Sequence, residues 1–106
     1  MSYLTIARFE GDPDRLIDGY LSSTDVMDGV GRDHGLILHA GAQTEDGLLV
    51  VNVWPSRDGS EAAAADPRRL AVLERGASGV RGLDKEHHEL AHCLVPGGGG
   101  DTLLTY

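Results

Sequence analysis

LILHAGAQTEDGLLVVNVW, residues 36–54, is the stretch whose reading decides the fold. Two apolar segments, Leu36 to Gln43 and Leu48 to Trp54, are joined by Thr44-Glu45-Asp46-Gly47. An Asp-Gly step between such segments is a strong hairpin signal, so they are expected to form the second and third strands. Whether the turn holds two residues or four, the opposed positions keep the same parity, and side chains alternate between faces along each strand. One face then carries Leu38, Ala40 and Ala42 with Leu49, Val51 and Val53, a purely apolar surface that reads as core. The other carries Ile37, His39, Gly41 and Gln43 with Val50, Asn52 and Trp54, which mixes polar groups into an apolar setting as small-molecule pockets do.

Outward from the hairpin, Ser2 to Glu10 is rich in β-branched and aromatic residues and reads as the first strand, ended by Gly11. Asp12-Pro13 offers an N-cap followed by proline at the first helical position. Leu16, Ile17, Tyr20, Leu21, Thr24 and Met27 recur at helical spacing, predicting one helix that ends between Asp28 and Arg32. Pro55 closes the third strand, and Ser56 or Ser60 can cap a second helical region around Glu61 to Ala65. Pro67 should break that region, with Arg68 to Arg75 adding turns before a loop through Gly76, Gly79 and Gly82. The segment Lys85 to Val95 alternates at Leu90, His92 and Leu94 as a strand would, yet is acceptable in a helix. With a strand there, the order becomes βαββαβ: an α+β, ferredoxin-like domain over residues 1–95, with helices on one face of a four-stranded antiparallel sheet. Residues 96–106 read as a Gly-rich flexible C-terminal tail, its DTLLTY end either frayed or a swapping strand.

Composition narrows the function classes. A chain of 106 residues fits one domain. A sheet with only one face covered by helices calls for self-association, so a homodimer is expected. The net charge of −8, from 17 acidic against 9 basic residues, repels phosphate backbones and anionic lipid, which argues against nucleic acid as a partner. No apolar run approaches the roughly 20 residues that cross a bilayer, so no membrane role is expected. A single cysteine, Cys93, cannot form an internal disulfide and reads as a small buried hydrophobe. With no basic segment leading into an apolar stretch at the N-terminus, a cytoplasmic location is expected.

The run GDPDRLIDGY, then HGLILHAGAQTEDGLLVVNVW, then the Ala65-Asp66-Pro67 step and a closing HCLV segment resembles small stand-alone proteins of the dimeric α+β-barrel superfamily, which includes the antibiotic-biosynthesis monooxygenase-like proteins. The resemblance spans Ser2 to Val95. It implies two ferredoxin-like subunits that stack their sheets face to face in a dimeric α+β barrel. Cofactor-independent oxygenases, cyclases and haem enzymes share that superfamily, so fold alone does not name a reaction. The haem-degrading branch uses an asparagine in the first strand with a tryptophan and a histidine in the second helix. Here the first strand has no asparagine, and Glu61 to Arg75 has neither tryptophan nor histidine.

Three functional readings follow. In the first, His39, Asn52 and Trp54 line a small-molecule pocket, with His92 contributed by the fourth strand and Arg8 or Tyr20 at its edge. His39 is the candidate general base and Asn52 the candidate holder of an oxyanion, in a monooxygenase-like enzyme or binder of specialised metabolism that needs no metal or organic cofactor. The structural alternative is that His39 and Asn52 bond each other at the dimer interface and Trp54 fills space. In the second, His88-Glu89-Leu90-Ala91-His92 spells H-E-x-x-H, a zinc peptidase motif on a helix; on a strand the histidines would lie about 13 Å apart, too far for one metal. The third is a non-catalytic ligand-binding or dimerisation module.

Overall fold

A computed structural model of the chain describes residues 2–95; Met1 and the expected tail at 96–106 lie outside the described residues. The elements run β1 (Tyr3–Glu10), α1 (Pro13–Ser22), α2 (Thr24–Asp33), β2 (Leu38–Gln43), β3 (Gly47–Trp54), α3 (Arg57–Ala64), α4 (Pro67–Gly76), a 3-10 turn (Ala77–Gly79) and β4 (Gly82–Glu89). The strands form one sheet in the order β2-β3-β1-β4, each neighbouring pair antiparallel. This is the ferredoxin-like α+β arrangement the sequence predicts.

Local chemistry accounts for the boundaries. Asp12 caps α1 by accepting the Asp14 backbone N–H at 3.0 Å, with Pro13 in the first turn. The single helix expected after it is two helices. The Ser22, Ser23 and Thr24 hydroxyls each donate to the carbonyl three residues back, at 2.8, 2.8 and 2.9 Å, which competes with the helical ladder and breaks it at Ser23. Gly29 and Gly31 do not end α2, which continues to Asp33. Gly31 is needed for packing, since a Cβ there would sit 2.6 Å from Leu36 Cδ2.

The β2–β3 hairpin forms with the parity expected, pairing Leu38 with Val53 and His39 with Asn52. Its two-residue loop lies one residue earlier than an Asp-Gly centre implies. Thr44 and Gly47 exchange backbone hydrogen bonds at 2.9 and 3.4 Å, leaving Glu45 and Asp46 as the loop and Gly47 as the first residue of β3. Gly47 has φ 157°, which side chains other than glycine rarely adopt, and a Cβ on it would overlap the Phe9 carbonyl oxygen.

The two sheet faces play roles opposite to those the pattern indicates. Helices α1, α2 and α3 lie against the His39/Asn52/Trp54 face, with α4 packed on α2 and α3: Tyr20 of α1 reaches His39, and Trp54 packs in a core with Val30 of α2, Leu36 and Ala63 of α3, flanked by Tyr3. Burial of Val30 to 1% exposure contributes about 1.5–3 kcal/mol. The purely apolar face, read as core, is the one no described helix covers. On it Ala40 and Ala42 are exposed, Leu38, Leu49 and Val51 half-buried, and Val53 buried. Small side chains at Ala40 and Ala42 leave that face flat, whereas Trp54 needs the depth of a helix layer above it.

The fourth strand also falls earlier than expected, at Gly82–Glu89 rather than within Lys85 to Val95. Its register with β1 pairs Glu10 with Gly82 and Tyr3 with Glu89. An edge strand tolerates the charges of DKEHHE, which also discourage pairing with other chains. The Leu90 N–H still donates to the Ser2 carbonyl at 2.7 Å, but regular pairing ends at Glu89. His92 is therefore beyond the strand and exposed, and so is Cys93, which is not a buried hydrophobe. His88 is on a strand and His92 is not, so the H-E-x-x-H stretch lacks the helical geometry that a zinc peptidase site requires.

Asp66-Pro67 breaks the second helical region as expected. Asp66, 9% exposed, caps α4 through the Arg68 N–H at 2.9 Å, accepts from the Arg68 guanidinium and lies 3.1 Å from His34 Nε2, tying α4 to the end of α2. The Arg68 guanidinium, and after it His34, holds the Asp66 carboxyl well below the usual carboxylate range. A carboxyl with a depressed folded pKa stabilises the fold above its unfolded pKa, near 4, and loses that contribution as pH falls below it. Asp66→Asn should therefore lower the thermal midpoint at neutral pH and flatten the acid limb below about pH 4, read by circular dichroism melts across pH.

Candidate functional site: an Asn52–His39–Tyr20 relay

Strand pairing sets His39 of β2 directly opposite Asn52 of β3, and α1 crosses above them. His39 Nδ1 lies 2.6 Å from Asn52 Oδ1, and His39 Nε2 lies 2.5 Å from the Tyr20 hydroxyl. A carboxamide oxygen only accepts, so Nδ1 carries the hydrogen and donates to Asn52. In the neutral ring Nε2 then accepts from the Tyr20 O–H. The imidazole is thus held in one tautomer by a fixed acceptor and presents its basic nitrogen to a phenol, the base-and-orienter logic shared by many acid–base sites. The Tyr20 and His39 rings stack with centroids 5.7 Å apart and planes 27° apart.

What lets Tyr20 reach so far is Gly41. A Cβ on Gly41 would fall 2.5 Å from the Tyr20 hydroxyl oxygen and 2.7 Å from Cε2, so the phenol ring lies on bare β2 backbone. The sequence marks Gly41 only as one position of the polar face; the signal that could have paired it with Tyr20 is the absence of a side chain between His39 and Gln43. The next residue on the α1 side of this contact is held as well, since Gln43 Nε2 donates to Asp14 Oδ1 at 2.9 Å.

Of the six residues the sequence nominates, three meet: His39, Asn52 and Tyr20. Tyr20 moves from the edge of the site to its centre. Trp54 stands two residues beyond Asn52 on the same face but inside the core, and its indole N–H is buried without an acceptor among the described residues, at a cost of about 1–3 kcal/mol. Arg8 points to the opposite face and pairs with Glu86, whose carboxyl it holds below its ordinary value, with His88 adding to the effect. His92 takes no part. Two clefts flank the sheet, one lined by residues such as Arg8, Thr44, Asp46 and Leu83 and the other by Tyr3, Ser60 and His87; none of the relay residues lines either. Among the described residues no group of His, Cys, Asp and Glu is placed to hold a metal ion.

Gly41→Ala should push Tyr20 off the strand and break its bond to His39 while the sheet persists. The expected cost is about 1–3 kcal/mol from overpacking, measured by denaturant unfolding, with a changed His39 imidazole signal in NMR spectra.

No protein-family model matches the sequence, and no curated protein matches it. Solved structures do match the fold. A variant of SnoaB, a cofactor-independent oxygenase from Streptomyces nogalater, superposes with a TM-score of 0.71 at 14% identity, over 88% of this chain and 96% of that one. A candidate antibiotic biosynthesis monooxygenase from Nitrosomonas europaea gives 0.73 at 13% identity, over 86% and 91%. A dimeric ferredoxin-like protein of unknown function from Thermobifida fusca gives 0.68 at 19% identity, over 85% and 92%. At such identities the likeness speaks for the backbone alone, and what it shows is that this chain has the ferredoxin-like α+β fold of the antibiotic-biosynthesis monooxygenase-like proteins it resembles.

Proposed function

We propose that the protein is a small homodimeric acid–base enzyme of the cofactor-independent monooxygenase-like type, working on a small organic substrate through the Asn52–His39–Tyr20 relay. The observation that carries this reading is the pair of short contacts at His39, 2.6 Å to Asn52 and 2.5 Å to Tyr20. Both ring nitrogens are engaged, so a proton leaving a substrate passes through the Tyr20 phenol to Nε2 while Asn52 steadies the resulting imidazolium. The Asn52 amide N–H groups make no hydrogen bond among the described residues, which leaves them to donate to a developing oxyanion. Oxygenation without a cofactor has the same first need, because an electron-rich anion reduces O2 far more readily than the neutral molecule does. SnoaB, a cofactor-independent oxygenase, supports the reading through its shared fold.

The homodimer follows from the open face. On that face Leu4, Ile6, Leu38, Leu49 and Val51 are only half-buried and Ala40 and Ala42 exposed, and a second copy of the same apolar surface is its simplest cover. Dimeric ferredoxin-like proteins from Thermobifida fusca and Jannaschia share the fold. Val51→Asp should convert a dimer to a monomer or an insoluble chain in analytical ultracentrifugation; an unchanged dimer would place the interface elsewhere.

A non-catalytic reading has one observation in its favour: the relay lines neither cleft, so the hydrogen bonds could serve only to fasten α1 to the sheet. Oxygen uptake separates the two. With readily deprotonated polyphenols in metal-free buffer, the enzyme reading expects uptake above the uncatalysed rate, abolished in His39→Ala and lowered about 10²-fold or more in Tyr20→Phe, with the dimer intact. Equal rates in the wild type and His39→Ala would leave only the fastening role.

A further inference from the structure

The helix-covered face holds a second group of side chains that the relay does not use. Tyr3, Arg57, Ser60, Glu61, Ala64 and His87 line a cleft of about 340 Å³ between α3 and the β1–β4 pair, within the size range of small-ligand sites. Ser60 is only 8% exposed, yet its hydroxyl has no hydrogen-bond partner among the described residues. The Tyr3 hydroxyl and the His87 ring make no hydrogen bond there either, and the two rings stand 6.1 Å apart at 34°. The cleft thus presents three polar groups with no hydrogen-bond partner among the described residues, the Ser60 hydroxyl, the half-buried Tyr3 and the exposed His87, which a ligand can engage. Arg57 is held by Glu61 at 2.9 Å, an ion pair so exposed, at 70% and 61%, that a ligand can displace it.

We propose that this cleft binds a small planar carboxylate, an aromatic acid. Its carboxylate accepts from the Arg57 guanidinium and the Ser60 hydroxyl, and its ring lies along Tyr3, Ala64 and His87. The donor set favours an anion. Arg57 gives only its Nε–H to Glu61, so its Nη donors stay available beside the Ser60 hydroxyl, and that set matches a carboxylate. Two tilted rings and an alanine methyl favour a flat apolar body over a chain or a sugar.

The site is independent of the relay and of the proposed reaction. His39, Asn52, Thr5 and His87 are opposed in one row across the four strands, so His87 lies two strands from Asn52, roughly 10 Å away. It is also on the face away from the open apolar surface, so a dimer formed there leaves it accessible.

The test is a titration of the ¹⁵N-labelled full chain with benzoate, using acetate and benzyl alcohol as controls, followed by amide chemical shifts. Binding should give saturable shifts at Tyr3, Ser60, Ala64 and His87, with both controls weaker. Ser60→Ala and Arg57→Gln should each weaken benzoate about tenfold, the loss of one charge-assisted hydrogen bond. Alanine suits the interior of α3, so the Ser60 variant keeps its fold, seen as an unchanged spectrum away from the cleft. Absence of saturable shifts, shifts at Tyr20, His39 and Asn52 in place of the cleft, an equal response to acetate, or variants that bind as the wild type does would each overturn the assignment.

Discussion

The close approach of the Tyr20 ring to the bare backbone at Gly41 is the contact on which the site depends. With any side chain at Gly41, the phenol could not lie on β2, and its hydroxyl could not come within 2.5 Å of His39 Nε2. Without that bond, His39 would keep only Asn52 among the described residues, and α1 would lose a polar tie to the sheet, keeping the one from Asp14 to Gln43. The hairpin supplies the rest of the geometry. Because His39 and Asn52 are opposed in the ladder, their 2.6 Å contact is set by backbone pairing and not by long, mobile side chains. A site built on paired strands holds its shape more closely than one built on loops.

Much of the fold is legible in the residues, and the parts that are not share a cause. Asp12-Pro13 and Asp66-Pro67 announce helix starts because their chemistry is local, a carboxylate oxygen facing backbone N–H groups within two residues. Hairpin parity is legible because alternation is a property of each strand alone. Which face the helices choose is not, since it depends on volumes brought from distant segments: Trp54 is matched by Val30 and Ala63, and Gly41 by Tyr20. The fourth strand is hidden for a related reason. DKEHHE lies on an edge, where one side meets solvent, so burial imposes no alternation for a pattern to reveal. The break at Ser23 could have been noticed, because three consecutive hydroxyl residues each offer the preceding turn a rival bond.

The site was half visible on the same terms. His39 and Asn52 stand out as polar residues among apolar ones, and pairing alone brings them together. Tyr20 could be put at an edge but not at the centre, because helix periodicity says which residues face the sheet and not how deeply. The alternation puts Trp54 in a pocket, whereas it belongs to the core, where its indole N–H is the one buried polar group of that cluster without a partner among the described residues.

The break at Ser23 has a mechanical consequence. It divides the layer above the sheet so that the helix carrying Tyr20 is distinct from the helix carrying Val30. The core of Val30, Leu36, Trp54 and Ala63 contains no residue of α1. The two helices can therefore respond separately to a substitution: α2 is bound into the sheet through Val30, whereas α1 is held by its buried Leu16 and by the Tyr20 contact at Gly41.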